Sequence, residues 1–408
     1  MHILYISQYF PPEMGAPSAR VYEFSREWVR MGHRVTVLTG FPNHPTGIIP
    51  VKYRRQIFCQ EERDGIKIIR TWIYPAPNKG VTKRILNYLS FPMSSVILGV
   101  PEIQDCDVVI ATSPQLLVGI AGYLAARRLD LPFVFEVRDL WPDSIEAVKA
   151  ITNAWLLRGL RWVEEFLYHQ AEQIVTVAYS TPRILSKRGV ASHKMVVIPN
   201  GVDIDFFQPG AQNNNVRKRY APTGSFLVSY IGTHGMAHAL QTVLNTAKMF
   251  SKKDNIHFLF VGEGAEKDQL VAWTKHQQLS NVTFVEQQPR ETLLSFYQAS
   301  DVCLVPLRKV PLFQAVLPSK MFEIMGVGRP IILSVEGEAQ KLLEKAEAGL
   351  AISPESSTEL YNAIKYLVQN PEKKHVYGNS GRQYVERFHS RPSLAKTYTD
   401  SLEKLISY

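Results

Sequence analysis

Short runs of β-branched and aromatic residues alternate with helix-length segments along almost the whole chain, and this alternation restricts the fold more than any other feature. In the first half such runs stand at 3–7, 34–39, 108–112, 133–137, 174–178 and 196–199. A helical pattern over 17–31 ends at Gly32, a residue suited to closing a helix. Strand, helix, strand repetition calls for a parallel sheet covered on both faces, because each parallel crossover needs enough chain to carry a helix. The pattern pauses over 209–224, which is rich in polar residues, Pro and Gly and includes Asn213, Asn214 and Asn215; it reads as a linker. Runs resume at 226–231, 257–261, 282–285, 302–305 and 331–333, and the tail from 354 is helical. The expected fold is α/β, with two doubly wound Rossmann-like parallel-sheet domains facing a cleft. The chain of 408 residues suits two domains of ordinary size. We place the N-terminal domain at 1–200 and the C-terminal one at 201–389, with helix 390–408 packing back on the first.

Composition narrows the function classes. With 45% hydrophobic and 20% charged residues, the chain has ample material for two cores and no disordered character. Cys59, Cys106 and Cys303 are scattered and odd in number, which argues against a disulfide framework or zinc site and suits a reducing compartment. Residues 1–7 are too short an apolar run for a signal peptide and lack a basic leader, so a cytoplasmic location is expected. The longest spanning-helix candidate, 116–126, is bounded by Arg127 and Arg128 and falls short of the roughly 20 apolar residues a crossing requires. A net charge of +9 predicts attraction to polyanions. No nucleic-acid motif is present, so an anionic membrane or a phosphorylated substrate is the expected partner.

In such sheets ligands bind beyond the carboxyl ends of the strands, so the loops there are the candidates for chemistry. After the first run, Gly15 precedes a helix; it either lets a ligand approach the backbone or simply turns the chain. Gly232, Thr233, His234, Gly235 and His238 follow the 226–231 run and form a candidate phosphate cradle. His234 and His238 are four apart, but no HExxH pattern and no third ligand accompany them, so no metal is expected. Gly262 and Gly264 make a weaker GxG after the next run. Pro318 or Ser319 opens a helix that Gly326 or Gly328 closes, and Lys320 and Glu323 share a face of it. They are either a surface ion pair or a cation for phosphate and a carboxylate for ribose hydroxyls. Arg138, Asp139 and Asp143 put charge at the end of the 133–137 run, for ligand or for structural pairing.

Taken in order, these pieces resemble a known family. Pro199-Asn200-Gly201-Val202-Asp203 followed by Phe206 or Phe207, then Val261-Gly262-Glu263-Gly264, then the stretch 323–331 are similar to the signatures of GT-B glycosyltransferases of family 4. That retaining group includes many bacterial O-antigen and capsule transferases, and the resemblance covers essentially the whole chain. Gln8-Tyr9-Phe10-Pro11-Pro12-Glu13, Arg138-Asp139-Leu140-Trp141-Pro142, Gly232-Thr233-His234-Gly235 and Leu317-Pro318-Ser319-Lys320 resemble its WbuB-like subgroup. The resemblance implies a GT-B fold, a UDP-sugar donor carrying an N-acetylated amino- or deoxysugar, a polyprenyl-diphosphate-linked sugar acceptor, no cofactor, and a role in O-antigen, capsule or exopolysaccharide synthesis. It implies donor contacts at Leu317, Pro318, Ser319 and Glu323, the last on the ribose. Ala315 stands where the family has a glutamate that reads the donor sugar, and Thr233 and His238 stand at the places of its usual Arg and Lys. Lys320, Arg308 or His234 then supplies the positive charge, and Arg138 aligns with a first-domain histidine.

The resulting expectation is retention without a metal or an enzyme nucleophile. Lys320 and the 232–238 loop hold the diphosphate, while Arg138 and Asp139 orient the acceptor. The stretch 79–91 combines Lys79, Lys83 and Arg84 with apolar residues and is suited to contact an anionic inner-membrane surface. The alternative is an ordinary helix that packs Ile85, Leu86 and Leu89 inward and is limited by Pro92. Rival functions are a nucleotide-sugar 2-epimerase and a non-catalytic scaffold of the same fold.

Overall fold

A computed structural model describes residues 1–44, 46–77, 81–147, 153–212 and 215–407. The chain divides into two compact units, Met1–Pro199 with Arg391–Tyr408, and Asn200–Ser390. The first unit carries β1 (His2–Ile6), β2 (Arg34–Gly40), β3 (Phe58–Arg63), β4 (Ile66–Thr71), β5 (Val108–Thr112), β6 (Phe133–Val137), β7 (Gln173–Thr176) and β8 (Met195–Val197). Its helices are α1 (Ala16–Arg30), α2 (Val81–Ser94), α3 (Leu116–Leu129), α4 (Asp143–Ala147), α5 (Ala154–Gln170) and α6 (Thr181–Lys187). The second unit holds β9 (Phe226–Ile231), β10 (Ile256–Val261), β11 (Val282–Val285), β12 (Val302–Pro306), β13 (Ile331–Ser334) and β14 (Gly349–Ala351). Its helices are α7 (Asn215–Tyr220), α8 (Leu240–Met249), α9 (Lys267–His276), α10 (Arg290–Ala299), α11 (Lys320–Gly326), α12 (Glu338–Ala346), α13 (Ser357–Gln369) and α14 (Pro371–Phe388). The last helix, α15 (Arg391–Ile406), returns to the first unit.

The first sheet runs β3-β4-β2-β1-β5-β6-β7-β8. Its central strands are buried and mostly apolar because helices cover both faces; Ile3, Leu4, Tyr5 and Ile6 of β1 are all buried. Every pairing is parallel except that of β3 with β4. The sequence reading did not foresee this hairpin. Asp64 and Gly65 turn it with positive φ at both positions, the geometry that an Asp-Gly pair favours. Its outer strand is rich in charge, as an exposed edge should be. Helix α15 packs on α1: Trp28 meets Tyr398 with ring centroids 5.3 Å apart, and the Trp28 indole donates to the Ala395 carbonyl at 3.3 Å. Leu394, Tyr398 and Leu402 share one core with Phe24 and Trp28, and burying each such side chain stabilises by about 1.5–3 kcal/mol.

The second sheet is parallel throughout, in the order β11-β10-β9-β12-β13-β14. The stretch 209–224 is not a linker between units. It lies inside the second unit and contains α7, whose Arg217 donates to the Ala299 carbonyl at 2.7 Å and pairs with Asp301 at 2.9 Å. Polar composition signalled a surface segment there, and a surface helix held by one arginine satisfies it equally well.

Candidate functional site

In the second unit the connections from β9 lead to β10 on one side, while β12 lies on the other, so the loops after β9 and β12 diverge at a topological switch point. The β12 connection ends at Lys320, the first residue of α11. The Lys320 Nζ lies 4.0 Å from the centroid of the Tyr230 ring at the end of β9. A Cβ on Gly232 would come within 2.5 Å of that nitrogen and displace it, and the φ of +145° at Gly232 itself favours glycine. The nitrogen is buried and, among the described residues, has no hydrogen-bond partner. Burial lowers its pKa to about 7, opposed by the carboxylate of Glu323.

Two histidines complete the cluster. His234 Nδ1 and Nε2 and His238 Nδ1 are buried and, among the described residues, also lack hydrogen-bond partners. Their rings lie 5.8 Å and 6.0 Å from that of Tyr230. Burial, with Lys267 and Lys320 nearby, pushes His234 down to about 3. Burial and Lys320 take His238 down to about 3 as well. Both imidazoles are therefore neutral at pH 7. The Tyr230 hydroxyl donates to the Thr233 carbonyl at 2.6 Å, which fixes the start of the loop. A buried cation beside neutral donors favours an anion, whose arrival would offset the cost of burying the charge.

The glycines of the neighbouring loop have a different role. A Cβ on Gly262 would collide with the Gly232 carbonyl, and one on Gly264 with the His234 backbone. His234 N donates to the Glu263 carbonyl at 2.8 Å, and Glu266 N to the His234 carbonyl at 2.9 Å. Gly262 and Gly264 thus let the loops after β9 and β10 stack backbone on backbone. Gly235 meets no such constraint; its nearest neighbour would be Thr233 Cγ2 at 3.4 Å.

On α11, Glu323 accepts from the Tyr297 hydroxyl of α10 at 2.7 Å. The sequence reading missed both Tyr230 and Tyr297, since an aromatic residue in a strand or an amphipathic helix reads as core. Arg308 is half exposed and pairs with Glu266 at 3.2 Å, and its backbone N–H donates to the Ala237 carbonyl of the 232–238 loop at 2.8 Å. Leu317 is buried and its carbonyl accepts from Asn200 at 3.4 Å. Pro318 and Ser319 follow, and Ser319 caps α11 without a side-chain hydrogen bond. Ala315 ends a 3-10 turn. Among the described residues no three His, Cys, Asp or Glu side chains converge as metal ligands.

In the first unit, Gly15 caps α1 at φ +123°, and a Cβ there would meet only Pro17 Cδ at 3.8 Å. Arg138 follows β6; its backbone N–H donates to Ser113 Oγ at 2.8 Å, and its Nη1 is buried without a hydrogen-bond partner among the described residues. Burial, reinforced by Arg20, lowers its pKa. Asp139 beside it is exposed. Asp143 takes part in ion pairs, with Arg188 and with Arg161 at 3.8 Å, as the structural alternative expects.

Lys79 lies outside the described residues. Lys83 is exposed, and Arg84 donates to the Tyr88 hydroxyl at 3.0 Å. The inward-packed alternative for this segment fails, because Ile85, Leu86 and Leu89 are exposed. Pro92 does not end the helix either: α2 runs to Ser94 and continues as a π-helical turn, Ser95–Gly99. Met93 and Ile97, 62% and 65% exposed, prolong the apolar stripe past the proline. No helix of the described chain is long and apolar enough to cross a membrane.

Comparison with known proteins matches this architecture. A glycosyl transferase 4-like domain model takes in residues 15–201, and a model of glycosyl transferases group 1 takes in 212–384. WcaI of Escherichia coli, named for colanic acid biosynthesis glycosyl transfer, is 23% identical over 98% of this chain and 100% of its own. A GDP-mannose-dependent alpha-mannosyltransferase of Mycolicibacterium smegmatis is 24% identical over 100% of this chain and 96% of its own. Among solved structures, Thermosynechococcus elongatus sucrose-phosphate synthase superposes with a TM-score of 0.76 at 18% identity, covering 100% of this chain and 99% of its own. Anabaena HepE in complex with UDP-glucose gives 0.75 at 15%, covering 99% and 100%. The fold is GT-B, and the protein is a glycosyltransferase. Within that class the chain belongs to the GT-B transferases of family 4.

Proposed function

We propose that the second unit binds the diphosphate of a nucleotide-sugar against Lys320 and the 232–238 loop, and that the first unit presents a polyprenyl-diphosphate-linked sugar as acceptor. The observation that carries this is the buried Lys320 Nζ, without a hydrogen-bond partner among the described residues, held against Gly232 at the switch point of the sheet. Departure of the nucleoside diphosphate develops negative charge on the β-phosphate, and a desolvated cation stabilises that charge more strongly than one in water. Glu323, oriented by Tyr297, takes the ribose hydroxyls. No metal or other cofactor is needed in this reading, because Lys320 and backbone N–H groups supply the electrophilic side. Retention follows from a route in which the leaving phosphate accepts the acceptor proton on the same face, with Arg138 and Asp139 orienting the acceptor.

The donor we favour is a UDP-linked N-acetylated amino- or deoxysugar, used in O-antigen, capsule or exopolysaccharide synthesis as in the WbuB-like subgroup. The absence of a carboxylate at Ala315 supports a donor whose sugar is read without that contact. The relative named as GDP-mannose-dependent supports a guanine alternative. The exposed stripe on α2 with Lys83 and Arg84 supports peripheral contact with the inner membrane face, where such an acceptor resides. A panel of UDP-, GDP- and TDP-sugars with undecaprenyl-diphosphate-linked N-acetylsugars, read by product mass, tests the proposal. A gain of one sugar names the donor; no nucleoside diphosphate binding by the intact enzyme sinks it.

A further inference from the structure

We propose that the lipid-contacting face extends well beyond α2, across α3 to α5, and that Trp155 and Trp162 are its interfacial anchors on an anionic bilayer. This rests on the reading of α2 as a membrane-contacting helix. Trp155 and Trp162 are 79% and 67% exposed, although tryptophan has the largest apolar surface to lose to water. They are seven positions apart, two turns of helix, and so share one face of α5. Trp162 stacks on Phe166 with centroids 5.9 Å apart, and Phe166 meets Tyr123 of α3 at 5.1 Å. Helix α3 in turn packs on α2. Its exposed Leu124 and the stripe on α2 add apolar surface on the two helices that continue the packing from α5 in the same unit.

Charge selects the occupant. Neither α2 nor α3 contains an acidic residue, and on α5 Glu164 is buried and only Glu165 is an exposed acid, whereas Arg127, Arg128 and Arg158 are exposed along with Lys83. The Arg158 guanidinium lies 5.2 Å from the Trp155 ring centroid, pairing an apolar plane with a cation as the headgroup boundary demands. A protein partner of matching shape would need a large apolar face ringed with acid. A bilayer of anionic lipid offers hydrocarbon and negative charge together.

Partition of the full chain onto phosphatidylglycerol–phosphatidylethanolamine vesicles, by co-sedimentation, tests the extension. The W155S/W162S variant is expected to lose about tenfold or more in partition with its far-UV spectrum unchanged, and wild-type tryptophan emission shifts to the blue on adding vesicles. R127Q/R128Q/R158Q is expected to lose about fivefold per charge at low salt. Unchanged partition of W155S/W162S overturns the inference, and if an L86S/L89S variant loses binding in the same experiment the α2 reading survives alone. The opposite pattern, lost binding in W155S/W162S with L86S/L89S unchanged, also overturns the inference, because the face would then not extend from α2. A wild-type dimer in the absence of lipid that dissociates in W155S/W162S makes this face a contact between copies and overturns the lipid assignment. Failure of the sugar-transfer panel leaves these vesicle results unaffected.

Discussion

Arg20 in the first unit and Lys320 in the second are both buried cations, and their surroundings treat them in opposite ways. Arg20 donates to Glu136 through Nε at 3.0 Å and Nη2 at 2.8 Å, and to the Pro199 and Ile198 carbonyls at 3.1 Å and 2.9 Å. Glu136 also accepts from Tyr5 at 2.9 Å and Thr112 at 2.7 Å. Despite complete burial, its neighbour Arg20 holds the Glu136 carboxyl below the usual range. Lys320 has an aromatic face and, among the described residues, no hydrogen-bonded anion, and burial lowers its pKa to about 7. A charge whose donors are all satisfied holds the fold together. A charge left without a partner is costly to the folded protein and useful to a ligand that brings the missing anion.

The widest separation of the two comes from removing one partner of each. Glu136→Leu leaves Arg20 buried without its carboxylate and should destabilise the protein by about 3–5 kcal/mol, read as a lower urea midpoint. Lys320→Met should leave stability unchanged or raise it, while raising the transfer barrier by about 2–4 kcal/mol in kcat/KM. A Lys320→Met enzyme that unfolds like Glu136→Leu would make the lysine structural and erase the contrast.

How far this contrast was legible in the sequence differs between the two regions. The alternation of strands and helices placed the loop after β9 and the start of α11, so Lys320, His234 and His238 were named from pattern and resemblance. Arg20 and Glu136 were not, because a charged residue inside an amphipathic helix or at a strand end carries no mark of burial. Gly262 and Gly264 illustrate the reverse problem. A GxG after a strand looks the same whether a ligand or another loop fills the space, and here the 232–234 backbone fills it. The apolar stripe of α2 was equally ambiguous, since helical periodicity defines a face without saying whether protein or lipid covers it. Pro92 misled because a helix can run through a proline at the cost of the one bond to the carbonyl four residues back, and α2 does so.

A smaller effect sharpens the comparison through pH. Lys320 has a folded pKa of about 7, and an approaching diphosphate favours its protonated form, so binding takes up a proton above pH 7. UDP affinity should be greatest at and below neutrality and should fall by up to about tenfold per pH unit above it, within the window between the free and bound pKa. His234 and His238, at about 3, stay neutral across this range and do not contribute. Folding stability should move the other way: because the unfolded lysine titrates near about 10.4, the penalty for burying its charge is present below pH 7 and is relieved as pH rises from there toward that value. Calorimetric titration in buffers of different ionisation enthalpy counts the proton. A pH-independent affinity between 6 and 9, in wild type and Lys320→Met alike, would detach the lysine from the phosphate.

The smallest change asks whether the anion site has a built-in counterpart for the rest of the nucleotide. Tyr297 is buried and its hydroxyl donates to Glu323 Oε2 at 2.7 Å; burial and the carboxylate together push the phenol pKa well above its ordinary value, so it remains a donor at any working pH. Removing the hydroxyl in Tyr297→Phe deletes one hydrogen bond, which should weaken nucleotide-sugar binding by about 0.5–1.5 kcal/mol through a less fixed carboxylate. Because Glu323 would act on the ribose and Lys320 on the phosphate, the loss should appear for UDP and uridine alike and should vanish for free pyrophosphate. Lys320→Met should show the converse, a loss for UDP and pyrophosphate with uridine little changed. If both variants weaken all three ligands equally, Lys320 and Glu323 act as one packing unit, and the division of labour between the lysine and the glutamate of α11 is wrong.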